Sequence, residues 1–199
     1  MITQKDLRAV TEVVRFAYVH VFEKYTFGEG QEAKYSITVL IPKDDKKTLA
    51  RLQKAYKTAV EHGKEKFGSK FQPSPFVRPE GSTRGILVDA DEDARYSSNP
   101  DYKDCYLLTV KSKNAPQVLA KETGSQLLTK ETGEDIVYSG CYGRISVGFY
   151  PYNNMGFGVG CGLNNVKKIK DGDFLGGRTS AEADFAEFDD DDEDLDELL

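Results

Sequence analysis

The chain has 199 residues, a net charge of -6 and a mean hydropathy of -0.54, values typical of one globular domain with an appendage. Its apolar stretches, near residues 13–22 and 37–41, are shorter than the roughly 18 residues that a transmembrane helix needs. Residues 1–8 lack the basic and apolar pattern of a secretory signal, so we expect a protein without a membrane span that stays inside its cell.

The N-terminal third predicts a β-hairpin followed by a helix. Residues 13–22 and 34–41 are rich in β-branched and aromatic side chains, and the glycines between them suit a turn. Asp44 or Asp45 is suited to cap a helix whose apolar residues recur at steps of three and four. We predict that this helix ends near residue 67 and that its lysine-rich face is solvated.

The rest of the body predicts a long connection and further strands. Residues 68–104 contain four prolines and little apolar sequence, so we expect a connection that runs over the barrel. Residues 105–111 return to strand character, and residues 136–150 form a long β segment whose glycines permit bends. A last strand, residues 155–163, follows after a turn at residues 151–154.

Together these elements predict a mainly β fold of the OB type. Four or five strands, one main helix and a long connecting loop suit a five-stranded Greek-key barrel, an architecture widely used to hold oligonucleotides. Fold alone does not establish function, so the functional prediction depends on the strand faces.

Alternation along the strands predicts which side chains face outward, since successive residues of a strand point to opposite sides. In residues 136–150 five odd positions carry apolar side chains that can form the core side: Val137, Cys141, Ile145, Val147 and Phe149. The outward positions combine aromatic rings with a cation and are Tyr142, Arg144, Ser146 and Tyr150. The same parity places further polar or basic residues outward, namely Lys34, Ser36, Thr38, Thr109 and Lys111.

Residues 155–163 alternate between apolar side chains and glycines. The glycine face, next to outward Tyr142 and Tyr150, gives a base or a neighbouring ring room to lie flat. A tightly curved barrel wall would need the same glycines, and the sequence leaves these interpretations open.

The three cysteines, Cys105, Cys141 and Cys161, are predicted to be small buried hydrophobic residues in a reducing compartment. A metal site made from them and His20 is the alternative, because ligands need not be close in sequence. Burial is the simpler interpretation, so we predict neither a metal nor another cofactor.

The net negative charge is concentrated at the C-terminus. Residues 182–199 contain eleven Asp or Glu and no Lys or Arg, which leaves 27 basic against 22 acidic residues in residues 1–181, a charge of about +5. We therefore predict two units, an OB-type domain over residues 1–177 and a flexible acidic tail over residues 178–199.

A basic body that is rich in tyrosine favours single-stranded DNA as the ligand. Such binding needs a basic groove for the backbone and aromatic rings on which bases stack. The first hairpin loop of an OB barrel borders the ligand groove, which adds Lys24, Tyr25 and Phe27 to the outward strand residues. The full set of predicted contacts is Lys24, Tyr25, Phe27, Lys34, Lys111, Lys113, Tyr142, Arg144, Tyr150 and Tyr152.

Three segments resemble a family of bacteriophage single-stranded DNA-binding proteins. They are residues 34–43 (KYSITVLIPK), residues 149–166 with their FYPYNN and GVGCGLNNV runs, and residues 171–178 (DGDFLGGR). The resemblance spans nearly the whole body. It implies an OB fold, DNA binding without catalysis, and a role in phage replication, recombination or repair in the host cytoplasm.

The acidic tail is similar in design to those of other phage and bacterial single-strand binders. We expect it to occupy the DNA groove part of the time, so that its removal tightens binding and extends it to duplex DNA. Its last six residues combine charge with leucine, which suits docking on phage or host replication and recombination proteins: Asp194, Leu195, Asp196, Glu197, Leu198 and Leu199. A purely solubilising tail is the alternative, and a homo-oligomer is left open.

Two other functional classes compete with this prediction. An interaction protein would use the tail as a DNA mimic that occupies a host nucleic-acid-binding protein. A nuclease would use carboxylates and a metal, but a flexible acidic run does not hold ions in the fixed geometry that catalysis requires. We therefore predict a protein that is not an enzyme.

Overall fold

The computed structural model describes residues 2–154 and 156–176, so the predicted tail lies outside the described residues. The strands are β1 (Arg8–Val10), β2 (Val14–Tyr25), β3 (Lys34–Pro42), β4 (Val88–Asp89), β5 (Cys105–Ser112), β6 (Gln117–Ala120), β7 (Tyr142–Asn153) and β8 (Phe157–Lys170). The helices are α1 (Lys46–Phe67) and the short α2 (Lys130–Gly133). None of the helices in the described ranges has the length and apolarity to cross a bilayer.

Five of the strands close into a barrel in the order β2, β3, β5, β8, β7, with β7 pairing back onto β2. The β5–β8 pair is parallel and the other pairs of the ring are antiparallel. The fourth barrel strand therefore lies beside the first, which is the Greek-key arrangement of an OB-type barrel. The predicted fold class is confirmed, but the sheet is larger than five strands, because short β1, β4 and β6 extend it.

Helix α1 begins and ends where the sequence predicts. The Asp45 carboxylate accepts a hydrogen bond from the Thr48 amide at 3.0 Å, which satisfies one of the free N–H groups of the first turn. Gly68 follows the last turn with φ of +70°, a left-handed conformation that favours glycine. Leu52 and Ala59 are fully buried on the face toward the sheet, so the helix closes one side of the barrel.

The predicted core alternation of the β7 region is confirmed. Val137, Cys141, Ile145, Val147 and Phe149 are all buried in the main core. The strand limits differ from the prediction: β7 begins at residue 142 and continues to 153, and β8 extends to 170. The β7–β8 ladder continues through residue 151 despite its proline, because this part of β7 pairs only with β8.

The connection over residues 68–104 covers part of the outer sheet face, as the sequence predicts. Ala90 and Tyr102 of this connection pack on Leu40 and Leu107 in a second small core. On β3, Ser36 and Thr38 lie on the face that parity predicts, but both are buried there.

These two buried polar side chains differ in their hydrogen bonding. The Thr38 and Thr109 hydroxyls share a hydrogen bond of 2.8 Å across β3 and β5. Ser36 lies between His20 and Lys111 in register, and its buried hydroxyl has no hydrogen-bond partner among the described residues. Parity therefore gave the correct face of the strand but not its exposure, because exposure depends on what packs on that face.

The cysteines are unpaired, and their burial fits the predicted structural role. Cys141 is fully buried, while Cys105 and Cys161 are partly buried. Burial raises the pKa of Cys105 and of Cys141 to about 11, so both thiols are protonated at neutral pH. Within residues 2–154 and 156–176, no three His, Cys, Asp or Glu side chains lie close enough to hold a metal ion.

Gly140 allows the C-terminal segment to pack against the start of β7. Its φ is +120°, and a Cβ at this position would lie 2.0 Å from the Asp173 carbonyl oxygen. We expect Gly140→Ala to lower the free energy of unfolding by about 1–3 kcal/mol, measured by urea denaturation. Gly156→Ala is the matched control, since Gly156 has φ of +122° but open space around it. Equal losses in the two variants would contradict a specific role for the Asp173 contact.

A buried lysine predicts a pH dependence of stability. The Lys168 ammonium is buried between the carboxylates of Glu122 and Asp171, and its hydrogen bonds lower the pKa of both acids. These two ion pairs contribute fully to stability when the pH is above the ordinary pKa values of Glu and Asp, 4.5 and 3.8. The contribution is lost as the pH falls below those values and through the lower pKa values of the folded protein.

We therefore expect wild-type protein to lose more stability than Lys168→Met between pH 7 and about pH 3, by roughly 0.2–1 kcal/mol for each partly exposed pair. Urea denaturation at both pH values measures the difference. Lys167→Met, on an exposed neighbour in the same strand, should keep the wild-type dependence. If both variants lose as much stability between the two pH values as wild type does, the Lys168 ion pairs do not contribute to the pH dependence.

Candidate nucleic-acid interface

One row of paired residues crosses the outer face of the barrel. His20 of β2 pairs with Ser36 of β3, Ser36 with Lys111 of β5, and Lys111 with Gly162 of β8. Directly paired residues point to the same side of a sheet, so these positions share one face. The row defines the centre of what we call the outer strand face.

The loop between β2 and β3 folds onto this face. The Tyr25 ring stacks on His20 with centroids 4.3 Å apart, and Phe27 meets Tyr25 edge to face at 5.2 Å. The Lys111 ammonium lies 3.4 Å from the centre of the Phe27 ring. Tyr25 and Phe27 are nevertheless 48 % and 41 % exposed, so both rings are available to a ligand.

A cluster of lysines surrounds these rings. Lys113 contacts the Glu32 carboxylate at 2.8 Å, and Lys34 lies 3.9 Å from it. Partial burial, followed by repulsion from Lys34, lowers the pKa of Lys111. An anion near Lys111 would relieve that repulsion, so the cluster favours phosphate.

Tyr150 extends the face onto β7 and β8. Its ring lies over Gly160, where a Cβ would come within 2.6 Å of the ring, and also borders Gly162. Tyr152 covers Gly158 in the same way. The glycine face therefore accommodates neighbouring rings, one of the interpretations left open by the sequence. Tyr150 is still 51 % exposed and lies beside the row that contains Lys111.

Tyr142 and Arg144 lie toward the opposite end of β7. Tyr142 is flanked by Arg15 and Lys170, whose cationic groups lie 5.9 and 4.6 Å from its ring centre. The Arg144 guanidinium pairs with Glu12 at 2.9 Å and donates to the Thr11 carbonyl at 3.1 Å. The structure thus does not bring these two residues to the lysine cluster, since Tyr142 and Tyr150 are eight positions apart on β7, a distance of roughly 26 Å. Their contact with DNA stays a prediction.

Of the predicted contact residues, six gather on the outer strand face: Tyr25, Phe27, Lys34, Lys111, Lys113 and Tyr150. Lys24 instead lies 5.7 Å from the ring centre of Tyr35, which alternates with Lys34 and Ser36 and so faces the other side of β3. The predicted partner-binding residues 194–199 lie outside the described residues. Sequence reasoning missed His20 as part of the face, because a β-bulge between Ala17 and His20 shifts the alternation along β2.

The fold and this face define a class, an OB-type barrel whose outer strands and first hairpin loop carry aromatic and basic side chains, as oligonucleotide-binding barrels do. Within that class, the chain belongs to the family of the Enterobacter phage Enc34 single-stranded DNA-binding protein, whose family model matches residues 7–196. A curated relative is "Putative protein p50" of Acyrthosiphon pisum secondary endosymbiont phage 1. It is 32 % identical over 184 residues, which cover 86 % of this chain and 89 % of that protein.

Solved structures of phage proteins share the fold. The single-stranded DNA-binding protein from bacteriophage Enc34, solved in complex with single-stranded DNA, superposes with a TM-score of 0.69 at 23 % identity, covering 86 % of this chain and 91 % of that chain. The single-stranded DNA-binding protein gp2.5 of bacteriophage T7 superposes with a TM-score of 0.50 at 14 % identity, covering 91 % and 93 %. At these identities the likeness establishes the fold alone.

Proposed function

We propose that this chain binds single-stranded DNA without sequence preference and without catalysis, in phage replication, recombination or repair in the host cytoplasm. The observation that carries the proposal is the continuous outer strand face, on which exposed Tyr25, Phe27 and Tyr150 surround Lys111. Membership in a phage single-stranded DNA-binding family supports the same ligand.

The chemistry of the face accounts for both parts of the ligand. Bases stack on exposed rings irrespective of sequence because every base has a flat π-face, whereas the lysine cluster neutralises phosphates. In the free protein the rings and cations are partnered with one another, as Phe27 is with Lys111. DNA binding exchanges these internal contacts for contacts with bases and phosphates.

The acidic segment is proposed to regulate the same face. Gly176, the last described residue before it, lies in a pocket with Tyr18 and Arg95, at one end of the outer strand face. Residues 182–199 carry eleven acidic residues, and the rest of the chain is about +5, so the segment is attracted to the face that DNA uses. Its final residues, 194–199, are then released to dock on replication or recombination proteins.

Titration of labelled oligothymidine into full-length protein and into protein without residues 182–199 tests the proposal. A binder retains affinity in both forms, whereas a DNA mimic shows none once the acidic residues are absent. A nuclease shortens the strand when magnesium is added. Failure of both forms to bind oligothymidine at low salt would refute the proposed function.

A further inference from the structure

A small pocket of tyrosines lies where the outer strand face meets the long connection. It encloses about 170 Å³. Its lining includes Tyr18, Arg95, Tyr96, Tyr102, Leu175 and Gly176. We call it the Tyr18 pocket. It is separate from the lysine cluster, and it shares β2 with that cluster.

A β-bulge turns Tyr18 toward the outside. Ala17 pairs with Thr38 and His20 with Ser36, so β2 has two residues between paired positions where β3 has one. Tyr18 lies in this bulge and has φ of +48°, a left-handed conformation that is costly for a residue with an aromatic side chain. Ala17 and His20 both belong to the outer strand face, so the Tyr18 pocket continues that face along β2.

The Tyr18 pocket is built from neighbouring tyrosines and one arginine. Tyr96 and Tyr102 pack with centroids 5.2 Å apart, and Tyr102 is buried in the small second core. The Arg95 guanidinium lies 5.2 Å from the Tyr96 ring centre and is fixed by two hydrogen bonds of 2.9 and 2.7 Å to Asp93. The Tyr18 ring remains 50 % exposed.

We propose that the Tyr18 pocket seats one terminal base of the bound strand, as a second stacking subsite beyond the lysine cluster. The inference rests on the proposed function and refines it. An exposed tyrosine beside an oriented arginine offers a flat π-surface and a cation, the pair of groups that stacks bases irrespective of sequence. Leu175 and Gly176 line one side of the pocket, so the strand ends or turns away there.

A double-mutant cycle between protein and DNA tests the inference. Oligothymidine is compared with oligothymidine that carries an abasic residue at its 5′ end or at its 3′ end, using full-length wild-type protein and Tyr18→Ala. For wild type, removing the terminal base at one end should weaken binding about 5- to 150-fold, the range for loss of one stacked base. In Tyr18→Ala, removing the base at that end should no longer weaken binding. Removing the base at the other end should have the same effect in Tyr18→Ala as in wild type.

Matched variants separate stacking from folding. Tyr18→Phe keeps the ring, so the abasic residue should weaken its binding as much as it weakens that of wild type. Tyr25→Ala removes a ring elsewhere on β2, so the abasic residue at the same end should still weaken its binding. Tyr18→Gly removes the ring and also relaxes the positive φ, so it keeps the test valid if alanine destabilises the bulge. Equal abasic costs in wild type and both ring-free variants would overturn the inference while leaving the proposed function intact. Absence of any oligothymidine binding by wild type would overturn both.

Discussion

Replacing Phe27 and Tyr150 together by alanine should weaken binding of oligothymidine by about 2–6 kcal/mol, because each exposed ring offers a stacking surface worth roughly 1–3 kcal/mol per base. The two rings lie on opposite sides of Lys111, one on the first hairpin loop and one on β7. Both are substantially exposed, so the free energy of unfolding should change little. Fluorescence anisotropy titrations at one fixed salt concentration measure the effect.

The same titrations on Tyr142→Ala and Arg144→Ala serve as the comparison. These residues lie toward the other end of β7, and Arg144 is already paired with Glu12. If Arg144 contacts a phosphate, its removal should lower the log–log salt slope by about 0.7. A loss in Tyr142→Ala as large as that of the Phe27/Tyr150 variant would extend the site along β7. Unchanged affinity in the Phe27/Tyr150 variant would place the site away from the outer strand face.

Deleting residues 182–199 should tighten DNA binding by roughly 10- to 100-fold at low salt, since a tethered polyanion competes at high effective concentration. The effect should shrink as salt increases, because screening weakens the attraction between eleven acidic residues and a body of about +5. Duplex DNA should begin to bind once this competitor is absent. Titrations of both forms across a range of salt concentrations measure the change.

A matched variant separates competition from partner docking. Leu198→Ala with Leu199→Ala leaves all eleven acidic residues in place and should spare DNA affinity while impairing capture of replication partners. If the full-length and truncated proteins bind DNA equally at low salt, the competition model is wrong. A solubilising role would then be the better account of the acidic segment.

Much of the fold was predictable because its signals are local. The Asp45 cap, the periodicity of α1 and the alternation of Val137 to Phe149 depend on neighbours within a few residues, and all three are confirmed. The aromatic and basic character of the first hairpin loop was also evident from Tyr25 and Phe27. These features identified the class of fold and six of the residues on the outer strand face.

The arrangement of the face depended on pairing between distant segments. Lys111 lies beside Tyr150 only because β5 pairs in parallel with β8, and Ser36 is buried although its parity is outward. Tyr18 faces outward because of a bulge whose register is set by β3. Sequence by itself determined the elements, the alternation and the separation of charge. Tertiary structure alone decided which outward residues meet, because exposure and register arise from contacts that no local pattern encodes.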